Sequence, residues 1–386
     1  MAEPSSRSRP ARRSLSGFDL FSVAGIRITI DYSWFIIFLL VAWSVTGWFR
    51  QQIEMAPALT IWSLSITAAL FLFVSVLLHE LSHSFVARFK GMKVDRITLF
   101  IFGGVSHLGQ EPENPMDEVQ IAVAGPAASF AISAVCAAGL VLTLPLDSAG
   151  LSALLLYLAL INLALGIFNL VPAFPLDGGR VLRAWLWQQK RSFTRATVSA
   201  ARVGRILAFG LMGLGVLHVL TGTLIGLWWV LIGLFLSQAA SATAERALIR
   251  ETLSGTPVSR IMSRVVITLK PSESLAEAVE STFLCHHHVA YPVVEDGRVC
   301  GVLTLKDIKK HPREVWERLS VGESMVSVEE IEAAGPEEDV VDVLERMLRT
   351  GRGRMPVVVD GILAGMVTRR DIMDFLRVQT DLAAED

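Results

Sequence analysis

The first two-thirds of the chain alternate long apolar runs with short polar connections. The last third changes to short strand-like and helix-like patterns. Residues 59–78 (LTIWSLSITAALFLFVSVLL) carry no charge and are long enough, at about 1.5 Å per helical residue, to cross a hydrocarbon layer of about 30 Å. This run belongs to a segment at 59–83, and five more segments fall near 34–49, 119–145, 151–171, 203–221 and 225–243. Residues 25–34 (GIRITIDYSW) alternate with period two, which predicts a strand entering the membrane region.

Positive charge then orients the segments. Arg88, Lys90, Lys93 and Arg96 follow the second, and Arg180, Arg183, Lys190, Arg191, Arg195, Arg202 and Arg205 follow the fourth. The connections at 50–58, 146–150 and 222–224 carry only Arg50. Lys and Arg favour the cytoplasmic side, so both termini are expected there. With 386 residues, 52% of them apolar, the chain has room for two or three domains. Residues 245–386 read as a soluble α+β domain. The net charge of -2, with no basic stripe among aromatics, argues against nucleic acid as a partner. Cys136, Cys285 and Cys300 show no pairing spacing and are expected to be buried free thiols. The Arg-rich start (Arg7, Arg9, Arg12, Arg13) lacks the apolar core of a signal peptide and reads as a disordered tail.

The second apolar segment ends in His79-Glu80-Leu81-Ser82-His83. Imidazoles four residues apart share a helical face and can reach one metal ion, and the intervening Glu suits a general base. A charged Glu80 in such a segment points to function, because ionisable groups in membrane spans are rare. A catalytic zinc ion takes three protein ligands and leaves one position open. Residues 169–179 (NLVPAFPLDGG) offer the third in Asp177, which the topology places on the same side. Pro172 and Pro175 cannot continue a helix, and irregular backbone at membrane depth is tolerated where it lines a wet cavity. Asp177 has a second reading, as N-cap of a helix over 179–190. Zn²⁺ with ionised Asp177 and Glu80 and two neutral imidazoles sums to zero charge, which favours the ligand reading.

HELSH followed by NLVPAFPLDGG, within six membrane segments, resembles the site-2 protease family of intramembrane zinc metalloproteases. The resemblance extends to residues 99–108 (LFIFGGVSHL), like the family's membrane-associated β element, and to Gly125-Pro126. It implies one zinc ion held by His79, His83 and Asp177, with Glu80 as general acid/base. It also implies that Asn169 helps hold the substrate chain or its oxyanion. An unwound substrate is expected to add as a strand beside residues 25–32 or 99–106. The substrate would be a membrane-spanning protein, such as an anti-sigma factor, a pro-sigma factor or a membrane-tethered regulator, cleaved by regulated intramembrane proteolysis.

The soluble part contains a repeat. Pro292-Val-Val-Glu-Asp-Gly297 with Gly301, Thr304 and Asp307 recurs as Pro356-Val-Val-Val-Asp-Gly361 with Gly365, Thr368 and Asp371. Each copy reads strand, Asp-Gly hairpin turn, strand, helix. This resembles a pair of cystathionine-β-synthase (CBS) domains. The resemblance implies an adenine nucleotide (ATP, ADP or AMP) at Thr304, Asp307, Thr368 and Asp371, and a homodimer; the alternative for the Thr and Asp pairs is helix capping. His286, His287 and His288 have no acidic or thiol partner nearby in sequence and read as surface or core residues.

The expected fold is a polytopic α-helical membrane protein of six transmembrane helices with a membrane-associated β element, plus a cytoplasmic α+β CBS pair. The expected divisions are a tail (1–20), a metalloprotease domain (21–245) and the CBS pair (246–386, repeats near 253–312 and 318–377). A metal-binding transporter or channel with a CBS tail is the competing function; Glu80 argues against it, because translocation needs no general base.

Overall fold

The computed structural model describes residues 17–101, 103–108, 111–146 and 148–383. The chain forms two compact units that divide between Glu245 and Arg246. Most of the basic tail lies outside the described residues, but residues 17–20 do not belong to a tail. They open strand β1 (Gly17–Val23), which pairs antiparallel with β2 (Ile26–Asp31). Ala24 and Gly25 both have positive φ, 49° and 82°, the two-residue turn whose twist suits a hairpin.

β2 pairs in parallel with β3 (Val94–Phe100), and β3 antiparallel with β4 (Gly103–Leu108), giving the order β1-β2-β3-β4. Ile26, Ile28 and Ile30 of β2 and Val94, Ile97 and Leu99 of β3 are buried against Leu81, Ala87 and Ile121. The sheet is thereby fastened to the C-terminal half of helix α2 (Ala58–Phe89). Because β2 is flanked on both sides, residues 25–32 present no free edge for an added strand; among the described residues β4 is an edge strand, paired only with β3.

Among the described residues six helices are long and apolar enough to cross a membrane: α1 (Ser33–Gln52), α2, α3 (Pro115–Thr143), α4 (Ala149–Asn169), α6 (Phe193–Leu220) and α7 (Ile225–Leu253). Helix α5 (Asp177–Lys190) lies between α4 and α6 and is not among them. Leu39, Trp43, Phe209 and Leu220 are exposed on these helices, as lipid-facing residues are. Small buried residues sit where helices meet, including Ala68, Ala69, Ala122 and Gly125, because close backbone approach and dispersion, rather than water exclusion, hold helices together in lipid. Helix α3 starts earlier than its apolar run: the Asn114 side chain accepts from the Asp117 amide (2.9 Å) and Pro115 occupies the first turn.

The second unit has the strand order β5-β6-β9-β8, with β5 (Ala290–Glu295), β6 (Arg298–Thr304), β8 (Arg354–Val359) and β9 (Ile362–Thr368); the short β7 (Val326–Ser327) pairs with β6. Both hairpins turn at Asp-Gly pairs with positive φ, Asp296-Gly297 and Asp360-Gly361. The two halves trade their leading segments. Leu253 and Val258 are buried with Val340, Val357 and Val367 of the second repeat, whereas Val321 is buried with Leu269, Tyr291 and Leu303 of the first. Matching backbone bonds follow, Val258 N to Glu338 O and Leu275 N to Leu319 O. The cysteines depart from expectation: Cys285 is exposed, and Cys136 and Cys300 are only partly buried.

Asp307 is buried, and burial alone opposes its ionisation. The Lys310 ammonium at 2.7 Å and the Thr304 hydroxyl and amide outweigh that, so its carboxyl sits below the usual carboxylate range. A depressed carboxylate contributes stability that is present above the unfolded value of about 3.9 and is lost as pH falls through the folded one. In pH-dependent melts, Asp307→Asn should lower the melting temperature of the second unit at pH 7. The gap to wild type should shrink as the pH drops below about 4; a gap that stays constant with pH would contradict this.

Candidate metal centre

His79 and His83 lie one turn apart on α2, and both are 4% exposed. Asp177 is the first residue of α5. Its Oδ2 lies 3.1 Å from His79 Nε2 and 3.2 Å from His83 Nε2. The three donor atoms fall within 4.8 Å of one another. Zinc bonds of about 2.1 Å in a tetrahedron place ligand atoms about 3.4 Å apart, close to the two imidazole–carboxylate distances here. Asp177 makes no helix cap: Leu176 holds that position, with no side-chain capping bond.

One stripe of α3 backs the whole cluster. His83 Nδ1 donates to the Ile121 carbonyl (2.6 Å), and His79 Nδ1 lies 2.9 Å from Ser129 Oγ. Anchoring each ring through Nδ1 leaves the Nε2 lone pairs for a cation and fixes the ring planes. Pro126 lacks an N–H and removes one backbone bond from this turn. Gly125, between Ile121 and Ser129, lies against both imidazoles: a Cβ there would collide with both Nε2 atoms.

The approach of α5 is set by glycines and charge. A Cβ at Gly178 would run into the Leu170 and Val171 carbonyls, and one at Gly179 into the backbone of Ala173 and Phe174. These two positions let the irregular segment fold back on the start of α5. Farther along, Arg183 donates through Nε (2.7 Å) and Nη2 to Glu118 Oε1 on α3. The Arg183 guanidinium also stacks over Phe174 and Phe193 at 5.2 and 4.5 Å. Glu118 is 0% exposed, with Arg180 4.0 Å away. A buried carboxylate is tolerated when charged donors of this kind face it. Because Asp177, Arg180 and Arg183 recur every three residues on α5, this lock holds the same helix face that presents Asp177.

Glu80 is held against the sheet, in the electrostatic field of the three donors. Its Oε2 accepts from Ser106 Oγ of β4 (3.0 Å), and a Cβ at Gly104 would collide with its side chain. Asn169 ends α4, where its amide donates back to Leu165 O (3.0 Å). Sequence reasoning brought the two histidines and Asp177 together but missed Ser106, Ser129, Glu118, Arg180 and Arg183. The signal for part of this lay in the spacing of Glu118, Ile121, Gly125 and Ser129, one helical stripe with a charge at its end.

In the second unit, Thr304 and Asp307 form a reciprocal capping box. Thr368 and Asp371 make the same two backbone contacts, at 2.9 and 3.1 Å. Both pairs thus act as helix caps. They differ in one respect: Asp307 is paired with Lys310, whereas the position three residues beyond Asp371 holds Asp374. His286, His287 and His288 are exposed.

The family model described as Peptidase family M50 matches residues 67–146 and 145–211, and the CBS domain model matches residues 258–314 and 323–378. Rip3 of Mycobacterium tuberculosis is 34% identical over 363 residues, covering 92% of either chain. The zinc metalloprotease MJ0392 of Methanocaldococcus jannaschii is 34% identical over 361 residues, covering 92% of this chain and 94% of the relative. Among solved structures, the site-2 protease from Methanocaldococcus jannaschii matches with 32% identity and a TM-score of 0.43, covering 59% of this chain and 95% of that one. Relatives this similar across nearly the whole chain, with the M50 match on the helices that carry the cluster, make this chain a multi-pass membrane zinc metalloprotease of Peptidase family M50, the site-2 protease type, bearing a pair of CBS domains.

Proposed function

We propose that this protein cleaves membrane-spanning proteins within or just under the bilayer, as an endopeptidase of regulated intramembrane proteolysis. Its termini and CBS pair would lie in the cytoplasm, and adenine nucleotide bound by the pair would modulate it. The observation that carries the catalytic reading is the convergence of His79, His83 and Asp177, with both outer ring nitrogens already anchored on α3.

In this reading His79 Nε2, His83 Nε2 and Asp177 hold one zinc ion. The chemistry such an ion supplies when bound is polarisation of the scissile carbonyl and a lowered pKa for its water. Glu80 takes a proton from the attacking water and delivers it to the leaving amine, so one carboxylate serves both half-steps. His79 lies about 31 Å along the axis of α2 from its start at Ala58, near the far face of a hydrocarbon core, where water has access. A helical substrate hides its carbonyls and must unwind. The free edge of β4 offers replacement backbone bonds to the extended chain, a few residues from Glu80. Asn169 would turn from its contact with Leu165 to meet the substrate chain or its oxyanion. Candidate substrates are anti-sigma factors, pro-sigma factors and membrane-tethered regulators.

At the CBS pair Asp371, which accepts from the Thr368 amide and has Arg354 as its charged neighbour, is favoured over Asp307 as the ribose contact. Asp307 is engaged by Lys310 and would have to exchange that partner.

Three experiments test this reading. Glu80→Gln in purified full-length protein should keep one zinc per chain and reduce cleavage of a membrane-spanning substrate by at least 10²-fold, the range of general acid–base catalysis; undiminished cleavage with zinc retained refutes the assignment. Gly125→Ala should lower zinc occupancy while Gly139→Ala, where the added methyl would make only ordinary van der Waals contact with Leu155, leaves it unchanged. In calorimetric titrations of the full chain with ATP, ADP and AMP, Asp371→Ala should weaken binding more than Asp307→Ala. No heat with any nucleotide would leave the pair a structural or dimerising role.

A further inference from the structure

Ser106 stands on β4, in the stretch Gly103-Gly104-Val105-Ser106, and its hydroxyl donates to Glu80 Oε2 at 3.0 Å. The Ser84 hydroxyl, one helical turn after Glu80 on α2, has one proton and two acceptors in reach, Ser106 Oγ at 3.2 Å and the Glu80 carbonyl at 2.9 Å. The hydroxyls and the carboxylate thus form a short chain directed at one carboxylate oxygen. Register in the sheet fixes the position of Ser106, which lies opposite Ile97 of β3, and Ile97 is fully buried against α2. Gly104, two residues earlier and so on the same face of the strand, leaves the room that the Glu80 side chain occupies.

We infer that Ser106 is a positioning residue for the general base: it holds Glu80 by one oxygen so that the other carries the proton. A carboxylate has two oxygens that compete for a proton. A hydroxyl donating to Oε2 occupies that oxygen in both protonation states, first as part of the carboxylate and then as the carbonyl oxygen of the acid. Oε1 is left to take the proton from water and to release it to the amine, and the side chain need not rotate between the two half-steps. The base is therefore oriented by a residue of the sheet's edge strand, not by its own helix. This inference rests on the reading of Glu80 as the base.

The test compares Ser106→Ala, Ser106→Thr and Glu80→Gln, alone and combined, in full-length protein with zinc content measured for each. A hydrogen bond to a charged group, once lost, corresponds to roughly a ten- to hundredfold change. Ser106→Ala should lower kcat by roughly that factor with KM and zinc content unchanged. Ser106→Thr, which keeps the hydroxyl, should restore most of kcat. In the Glu80→Gln background Ser106→Ala should add no further loss, because the two residues act as one unit. If Ser106 only packs β4 on α2, Ala and Thr will behave alike, and the inference fails while the role of Glu80 stands. If Glu80→Gln itself leaves cleavage intact, the reading beneath the inference fails first.

Discussion

The structure of the first unit depends on holding two imidazoles and a carboxylate within bonding reach of one point at membrane depth. Bringing Asp177 out of water is costly without compensating positive charge. The arrangement therefore makes physical sense as the three protein ligands of a four-coordinate site, with a cation supplying the positive charge that the protein leaves out. The surrounding chain is arranged around this constraint. Helix α3 anchors both rings from behind, Gly125 makes room for them, and the Glu118–Arg183 pair keeps α5 against α3. Two imidazoles anchored at Nδ1 and one carboxylate make the three-donor set that a catalytic zinc ion takes.

Function is divided among three kinds of element. Long helices supply rigidity across the bilayer, and α2 and α5 each present donors from a helix turn. The sheet, fastened to α2 by Ile26, Ile28, Ile97 and Leu99, places its edge strand beside Glu80. An edge strand is usually a liability for a protein. In the proposed mechanism it is where an unwound substrate would regain its backbone bonds, next to the proposed general base. A transporter reading leaves both the edge strand and Glu80 without a task, and membership of a peptidase family removes the need for it.

Much of this was legible in the sequence because it was local. Apolar run length located all six spans, and the expected segment 151–171 compares with Ala149–Asn169 in the structure. But α6 begins ten residues before the expected 203 and α7 ends ten after the expected 243, because their outer turns are polar. The start of α3 came out late because its first turn, from Pro115 to Glu118, is polar and capped. HELSH and LDGG declared the donors through spacing and chemistry. What stayed hidden was long-range. Ser106 meets Glu80 only through the register of β4 on β3, and Glu118 meets Arg183 only once α5 has folded back at Gly178 and Gly179. Nor does the repeat pattern reveal that the CBS halves exchange their leading segments, because sequence similarity marks copies rather than packing partners.

The central claim is that His79, His83 and Asp177 form a single zinc site. Zinc-edge X-ray absorption on the purified full-length protein addresses it most directly. The account predicts one zinc per chain in a shell of oxygen and nitrogen at about 2.0–2.1 Å, with imidazole scattering from two rings that falls by half in His83→Ala. A sulfur shell, or a spectrum unchanged when His83 and Asp177 are both replaced by Ala, would contradict it.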